Sequence, residues 1–260
     1  MAISSSSQRM SHLVGNLETT AAYSQFFNLL KLQSFKYAPG SPLMLNREIY
    51  LIAGQGNRLG EFLVELNFDQ PGILSALSNI FAEHDVNIVN IAIDGPRRNL
   101  HFIVDLSTAT EEQIREILKQ LEMFAFVKRV KYRVSNAQIF VPRWITHVIN
   151  GSPAVALEKE FVPYFHDVSR LAEEIAKRDV KTVRELAPSI DAVTLEEALY
   201  IVQLRGLAAV KETTVAGGRL TATLCNLAQT VARRYIDALL RELGVQYRIV
   251  EEGACIRIEA

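Results

Sequence analysis

Residues 62–91 constrain the fold of this chain most, because the hydrophobic period changes twice along them. Apolar and polar residues first alternate, which is typical of a strand with one buried face. Apolar residues then recur at helical spacing, and a strand pattern resumes afterwards. The apolar positions are Phe62, Val64, Leu66 and Phe68 in the first strand, Ile73, Leu74, Leu77, Ile80 and Phe81 in the helix, and Val86, Ile88, Val89 and Ile91 in the second strand. The segment therefore predicts strand, turn, helix and strand.

The turn between the first strand and the helix has the sequence Asp-Gln-Pro-Gly at residues 69–72. Pro71 fixes a backbone angle that suits a first helical turn. The side chain of Asp69 can accept hydrogen bonds from the free amides of that turn. We therefore expect Asp69 to cap the helix.

Three further elements follow in order. Residues 99–106 are predicted to form a third strand, after a turn at 94–96. A second helix begins near Thr110, where Glu112 and Gln113 can bond back to the helix start. Its apolar face comprises Ile114, Ile117, Leu118 and Leu121, and a last strand covers residues 127–134.

This ordered set resembles the ACT domain, a small ligand-binding regulatory module. The resemblance covers residues 59–135, and its matching residues are Asp69, Pro71 and Gly72 in the turn, the helix end at 81–85 and the strand start at 86–88. It implies a ferredoxin-like βαββαβ fold. Such four-stranded sheets leave an edge and a face to be covered, so we also expect a homodimer.

The resemblance also implies a ligand site between the turn and the second strand of a partner chain. Carried over by position, the ligand-binding residues are Asn67, Asp69, Gly72, Ile73, Leu74 and Asn87. Amides at a helix start favour a carboxylate, and an aspartate can accept hydrogen bonds from an ammonium group, so an amino acid would fit. Each residue also has a purely structural interpretation, as a cap, a turn residue or a solvated strand end.

The composition favours a cytoplasmic protein, and the length allows two domains or one large one. With 260 residues and a net charge of −1, the chain has room for two domains and no overall attraction to nucleic acid or membrane. No apolar run is long enough to span a bilayer. We predict a flexible tail over residues 1–22, which lack a secretory pattern, a helix and hairpin over 23–58, and a glycine-rich linker over 54–60.

Residues 136–260 predict a second α+β domain. Apolar stripes indicate short helices near 168–175 and 183–190. Thr194 is expected to cap a further helix that carries Glu196 and Glu197 in its first turn and ends at Gly206. A hairpin across residues 217–218, a helix over 226–243 and a closing hairpin follow.

The end of the chain is similar to the vinyl-reductase-like hydrocarbon-binding domain, whose fold is shared with TRAPP tethering subunits. The residues that carry the similarity are Gly206, Cys225, Gly244, Glu251 and Cys255. The similarity implies an α+β ligand-pocket domain for a small apolar ligand. It does not support a metal or thiol function, because Val250 and Glu252 flank Glu251 where the family often has a further cysteine.

A winged helix is the alternative interpretation of the same region. The stretches 171–177, 183–186 and 194–205 could form its three helices, and residues 211–223 its wing. The third helix would have to approach DNA phosphates, yet Glu196 and Glu197 lie at its start. The charge pattern therefore disfavours binding to nucleic acid without excluding it.

Catalytic and metal chemistry find no support in the sequence. Cys225 and Cys255 lack zinc-site spacing, and we expect buried free thiols rather than a disulfide. No nucleophile, base and orienting group can be assembled, so no catalytic residue, metal ligand or cofactor is predicted. The favoured hypothesis is a non-enzymatic, small-molecule-sensing regulatory protein, and the alternative is a DNA-binding transcriptional regulator controlled by the ACT domain.

Overall fold

The computed structural model describes residues 52–53, 58–94, 96–149 and 152–260. The predicted tail, helix and hairpin of residues 1–51 lie outside the described residues. So does most of the predicted linker, but its last two residues, Leu59 and Gly60, already belong to a strand. Across the described residues, no helix is both long and apolar enough to cross a bilayer.

The first compact region is the predicted βαββαβ unit. Its elements are β2 (Leu59–Leu66), α1 (Ile73–Glu83), β3 (Asn87–Ile93), β4 (Asn99–Asp105), α2 (Glu111–Met123) and β5 (Val127–Ser135). The strands form an antiparallel sheet in the order β3-β4-β2-β5, so β2 is central. Both helices pack on one face of the sheet over buried residues that include Phe62, Phe81 and Phe102.

The start of α1 differs from the sequence prediction. The N-cap residue is Gly72, in the left-handed region with a φ of 93°, and no side chain caps the helix. Asp69 lies three residues before that cap, so its predicted capping role is wrong. Phe68 and Leu74, both predicted on buried faces, are 46% and 41% exposed because β2 already ends at Leu66 and Leu74 faces away from the sheet. The α2 cap is confirmed, with Thr110 and Gln113 forming a reciprocal capping box.

A short extended segment, residues 139–144, follows β5, and we call it the strap. Its first part is β6 (Ile139–Phe140), which pairs with β1 (Ile52–Ala53). Ile139 and Val141 belong to the core of the C-terminal region, whereas Phe140 packs behind the first sheet against Leu59 and Ile103. Successive side chains of one strand point to opposite faces, so the strap contributes to two cores at once.

The C-terminal region is α+β, as predicted. A small β7 (Val148–Ile149) and β8 (Ser152–Pro153) hairpin and a 3-10 helix (Lys159–Tyr164) lead to α3 (Val168–Leu186) and α4 (Ala192–Leu204). The hairpin strands β9 (Ala209–Ala216) and β10 (Arg219–Cys225) precede α5 (Gln229–Leu243), β11 (Arg248–Glu252) and β12 (Cys255–Glu259). The second sheet has the order β11-β12-β10-β9. Gly244 ends α5 in the left-handed conformation, as expected.

Two helix predictions in this region are wrong. The separate helices expected near 168–175 and 183–190 are one helix, α3, because Ala176, Val180 and Val183 continue its buried stripe. Asp191 rather than Thr194 caps α4, since its carboxylate accepts from the Thr194 amide at 2.7 Å. Gly206 follows α4 as expected, at a φ of 75° where a Cβ atom would collide with the carbonyl oxygen of Ala154.

The structure also contradicts the three-helix arrangement of a winged helix. The helices expected at 171–177 and 183–186 are both parts of the single helix α3. The helix expected at 194–205 corresponds to α4. Most of α4 is buried in the C-terminal core, including Leu195, Leu199 and Val202. In this fold, α4 is therefore a core helix whose surface is not available to a DNA groove.

The two cysteines form a disulfide, which corrects the expectation of free thiols. Cys225 and Cys255 are direct register partners on the neighbouring antiparallel strands β10 and β12. Their Cα atoms lie 4.1 Å apart. The sequence separation of 30 residues hid this proximity, which only the closing hairpin creates.

Candidate functional site

The predicted ligand site lies at the end of β2, where the chain turns into α1. The side chain of Asn67 donates to the carbonyls of Ala125 and Val127 at 3.0 and 3.4 Å. Its backbone amide donates to the carbonyl of Phe126 at 2.8 Å. Asn67 therefore fastens the turn to the loop before β5, which is a structural role for its amide group.

Asp69 is exposed on the same turn and faces a cation that the sequence did not suggest. Its Oδ2 atom lies 3.8 Å from Nη1 of Arg97. Arg97 has a φ of 55° in the β3–β4 hairpin, where Asp94 accepts the amides of Arg98 and Asn99 at 2.7 and 3.0 Å. Burial alone raises the pKa of Asp94, but these hydrogen bonds outweigh it and lower the pKa overall.

The start of α1 offers free hydrogen-bond donors beside Asp69. The amide of Ile73 reaches the carbonyl of Gln70 only at 3.4 Å, and the amide of Ala76 closes the first helical turn on Gly72 at 2.9 Å. Within the described residues, the amides of Leu74 and Ser75 donate to no acceptor. Free amides at a helix start favour an anion. Gly72, Ile73 and Leu74 thus lie together with Asp69, as the resemblance implied.

Asn87 lies far from this turn within one chain. Asn87 pairs with Asp105, and Asp105 pairs with Leu59 at the beginning of β2. The turn follows the other end of β2, so the two are separated by the length of a strand, about 20 Å for some seven residues. Asn87 is exposed and can contribute to the site only from another chain.

A second polar cluster lies on the opposite face of the first sheet, and the sequence did not reveal it. Glu61, which is fully buried, accepts hydrogen bonds from His101 Nε2 and Arg133 Nε at 2.7 Å each. It also accepts from the backbone amides of Arg143 and Trp144 in the strap, at 2.8 and 3.2 Å.

The cluster continues into the C-terminal region through Glu197 on α4. Glu197 is 1% exposed and accepts from Nη1 of Arg133 at 2.7 Å, from Nη2 of Arg143 at 3.0 Å and from the amide of Val141 at 2.9 Å. Arg133 also stacks over the ring of Phe140, with 4.2 Å from Cζ to the ring centroid. Two buried carboxylates and two arginines thus join the first sheet, the strap and α4.

Opposing effects set the ionisation of this cluster. Burial by itself raises the pKa of Glu61, but the hydrogen bond from His101 and the charge of Arg133 outweigh it, so the pKa of Glu61 is lowered. Burial likewise lowers the pKa of Arg143, and the carboxylate of Glu197 reverses this to a net increase. Both shifts favour the charged forms of Glu61 and Arg143.

A third cluster is internal to the C-terminal region. Arg205 donates to both carboxylate oxygens of Asp179 at 2.6 and 2.5 Å and to both oxygens of Glu158 at 3.0 and 2.9 Å. Tyr235 donates to Asp179 at 2.5 Å from a fully buried position. These bonds fasten residues 154–158 to the end of α4, and they indicate a structural role.

The described residues contain no group of three or more histidine, cysteine, aspartate or glutamate side chains that could hold a metal ion.

The structure brings together four of the six predicted ligand residues: Asp69, Gly72, Ile73 and Leu74. Asn67 lies beside them in a structural role, and Asn87 lies apart. Arg97 and the Glu61–Glu197 cluster were missed, because their partners are brought together only by the fold.

Comparison with known proteins agrees with this geometry. The family model described as the ACT domain matches residues 62–122. A comparison with curated proteins found no significant match.

Among solved structures, the regulatory subunit of aspartate kinase from Thermus thermophilus in its ligand-free form is 17% identical, with a TM-score of 0.26 over 75% of this chain and 93% of that chain. The corresponding subunit from Thermus flavus is 14% identical, with a TM-score of 0.27 over 74% of this chain and 95% of that chain. A REP-associated tyrosine transposase bound to a REP hairpin is 16% identical, with a TM-score of 0.22 over 52% and 74% of the two chains. TM-scores this low carry no argument about function. The family match and the βαββαβ topology together identify an ACT domain within this chain, at residues 62–122.

Proposed function

We propose that this protein is a small-molecule-sensing regulator whose ACT domain binds an amino acid at the turn of residues 69–74. The observation that carries the proposal is the placement of Asp69 and Arg97, 3.8 Å apart, beside the free amides at the start of α1. An ammonium group can bind the aspartate, while a carboxylate binds the amides and the arginine. The site thus matches both charged groups of an amino acid.

The surroundings of the turn favour an amino acid with an apolar side chain. Phe68 and Leu74 flank the turn in sequence and are 46% and 41% exposed. Large exposed apolar side chains beside convergent polar groups are typical of a ligand site. We expect apolar amino acids to raise the melting temperature more than acidic or basic ones.

The experiment is a thermal-shift screen of the twenty amino acids, followed by calorimetric titration of any that stabilise the protein. Asp69→Asn should weaken binding at least tenfold, because it removes the charge that would pair with the ammonium group. Glu83→Gln is the matched control, since Glu83 is an exposed acid at the other end of α1. Equal affinities for Asp69→Asn and the parent protein would contradict the site.

The proposal includes a homodimer in which Asn87 of one chain completes the site of the other. Its support is that Asn87 is exposed on the edge strand β3 and too far from its own turn. Asn87→Ala and Asp69→Ala should each abolish binding alone. Mixed and refolded together, they should recover one intact site in each mixed dimer. A monomer at micromolar concentration in light scattering, or no recovery on mixing, would contradict the shared site.

We also propose, from the sequence similarity of the C-terminal region, that this region accepts a small apolar ligand and has no catalytic activity of its own. The support is the helix, hairpin, helix and hairpin order that this region shares with hydrocarbon-binding domains. A thermal-shift screen of fatty and aromatic compounds tests the pocket. A compound that stabilises the Asp69→Asn variant as much as the parent protein would bind outside the ACT site.

A further inference from the structure

We propose that the strap couples the ACT domain to the C-terminal region, so that the state of the turn at residues 69–74 is transmitted to α4. The coupling goes beyond the proposed function, because it concerns how a signal would leave the ACT domain. It is argued from contacts within one chain and does not depend on which ligand binds.

The strap is shared between two cores. Phe140 is 1% exposed behind the ACT sheet, against Leu59 and Ile103. Ile139 and Val141, on either side of it, are fully buried in the C-terminal core. A shift of the strap toward either core would open a void in the other, and close-packed cores tolerate such voids poorly. The apolar contacts therefore require the two regions to move together.

Charges fix the strap from both sides. On the ACT side, Glu61 accepts the strap amides of Arg143 and Trp144. On the other side, Glu197 of α4 accepts the strap amide of Val141. Both carboxylates also hold Arg133, at 2.7 Å each. One arginine of the ACT sheet thus bridges two acids in different parts of the molecule.

Two buried polar atoms in this region have no partner among the described residues, namely Nδ1 of His101 and Nε of Arg143. Such atoms carry a desolvation cost that a rearranged state could relieve. The charged groups of the cluster are therefore well paired, whereas these two nitrogen atoms have no hydrogen-bond partner among the described residues.

Strand β2 connects the turn to the strap. Its last residue, Leu66, is three positions before Asp69, and Glu61 lies near its beginning. The strand is hydrogen-bonded on both sides, to β4 and β5. Arg133 is the register partner of Glu61 on β5. A central strand held on both sides moves as a unit, so a change at the turn reaches Glu61 through the backbone.

The experiment measures native-state hydrogen exchange of the strap amides of Val141 and Arg143 in the full chain without ligand. The perturbation is Gly72→Ala, which strains the turn because Gly72 has a φ of 93°. Gly217→Ala is the matched control, since Gly217 also has a positive φ of 58° and open space for a Cβ atom, but lies in the β9–β10 hairpin. We expect exchange of both strap amides to accelerate about tenfold in Gly72→Ala and to stay within twofold in Gly217→Ala.

The reciprocal measurement starts from the C-terminal side, because coupling between two sites acts equally in both directions. Glu197→Gln should accelerate exchange of the Asn67 amide, which lies just before the turn and donates to the carbonyl of Phe126 in the loop before β5. Glu196→Gln is the control: Glu196 pairs with Arg143 at 3.1 Å but not with Arg133 of the ACT sheet. Glu196→Gln should accelerate exchange of the Asn67 amide less than half as much as Glu197→Gln does.

Unchanged strap amides in Gly72→Ala, or equal acceleration by both glycine variants, would overturn the coupling. If Gly72→Ala does not fold, the Glu197→Gln measurement decides alone, and an unchanged Asn67 amide would overturn the coupling. Because both arms use the ligand-free chain, a failure of amino-acid binding would contradict the proposed function while leaving this test intact.

Discussion

Two tyrosines that make the same kind of hydrogen bond differ in how deeply they are buried. Tyr235 and Tyr247 each donate to an aspartate, at 2.5 and 2.6 Å. Tyr235 is fully buried, and burial raises its pKa well above the ordinary value. Tyr247 is half-buried, and its pKa rises, mainly through burial, to about 12.

We predict that Tyr235→Phe lowers the free energy of unfolding by about 1–3 kcal/mol, because Asp179 loses a donor where water cannot replace it. Tyr247→Phe should cost less than about 1 kcal/mol, since water can reach Asp237. Urea unfolding of both variants checks this. Equal losses would show that the Tyr235–Asp179 bond contributes nothing specific to burial.

At the level of single residues, the sequence predicted those roles that depend on neighbours close in sequence. Thr110 and Gln113 could be paired because a capping box joins positions three apart, and Gly244 followed from the end of an apolar stripe. Glu61 and Arg133 could not be paired, since they are 72 residues apart and meet only through strand register. Asp69 could be assigned to the turn before α1 from the sequence, but its proximity to Arg97 depends on the packing of a separate hairpin.

The two helices of the ACT domain begin in opposite ways. The capping box of α2 satisfies two free groups, whereas α1 begins at a glycine without a side-chain cap. The amides at the start of α1 are therefore left available for the ligand that we propose, whereas the cap of α2 satisfies part of its own helix start.

We predict that Thr110→Ala lowers the free energy of unfolding by about 1 kcal/mol, because the amide of Gln113 loses its acceptor. Thr108→Ala is the control, an exposed threonine just before the helix, and should change stability by less than about 0.5 kcal/mol. Urea unfolding followed by circular dichroism measures both. A Thr110→Ala variant as stable as the control would mean that the cap adds nothing.

The disulfide cross-links two secondary-structure elements, because it joins strand β10 to strand β12 directly. We predict that the Cys225→Ser, Cys255→Ser double variant loses about 2–4 kcal/mol of stability, as the unfolded chain gains freedom when the cross-link is removed. Reduction of the parent protein should lower its free energy of unfolding by a similar amount and leave that of the double variant unchanged. A parent protein insensitive to a strong reductant, with free thiols by alkylation, would show that no such bond forms.

At the scale of the whole molecule, the sequence predicted two domains but not what joins them. Each domain has its own periodic apolar pattern, so its elements could be assigned one by one. The strap is only six residues long and has no periodicity of its own. Its two-sided burial depends on contacts with both domains, which the residues of the strap do not reveal by themselves. The disulfide and the uninterrupted α3 were missed for the related reason that tertiary packing decided them.

The charges that join the domains also make the molecule sensitive to acid. The pKa of Glu61 lies below its reference value of 4.5, despite a burial effect that opposes this, because His101 and Arg133 favour the carboxylate. A group whose folded pKa is depressed contributes stability that is fully present above the unfolded pKa. That stability is lost as the pH falls through the folded pKa. We therefore expect the free energy of unfolding to start falling near pH 4.5 and to fall further at lower pH.

Trp144 provides the measurement, because it is the only tryptophan of the chain and its amide donates to Glu61. We predict that its fluorescence emission shifts to longer wavelength as the pH falls below about 4.5, ahead of the loss of helical circular dichroism. Glu61→Gln should be less stable at neutral pH and show a shallower loss toward acid. Some acid sensitivity should remain in that variant, since the pKa of Glu158 in the C-terminal region is also lowered, by Arg205 against the effect of burial. Glu65→Gln, which removes a half-buried acid of the same strand that pairs with Lys128 and Arg129 away from the strap, should keep the parent pH dependence of Trp144. A Trp144 signal that titrates identically in the Glu61→Gln variant and the parent would show that Glu61 does not hold the strap.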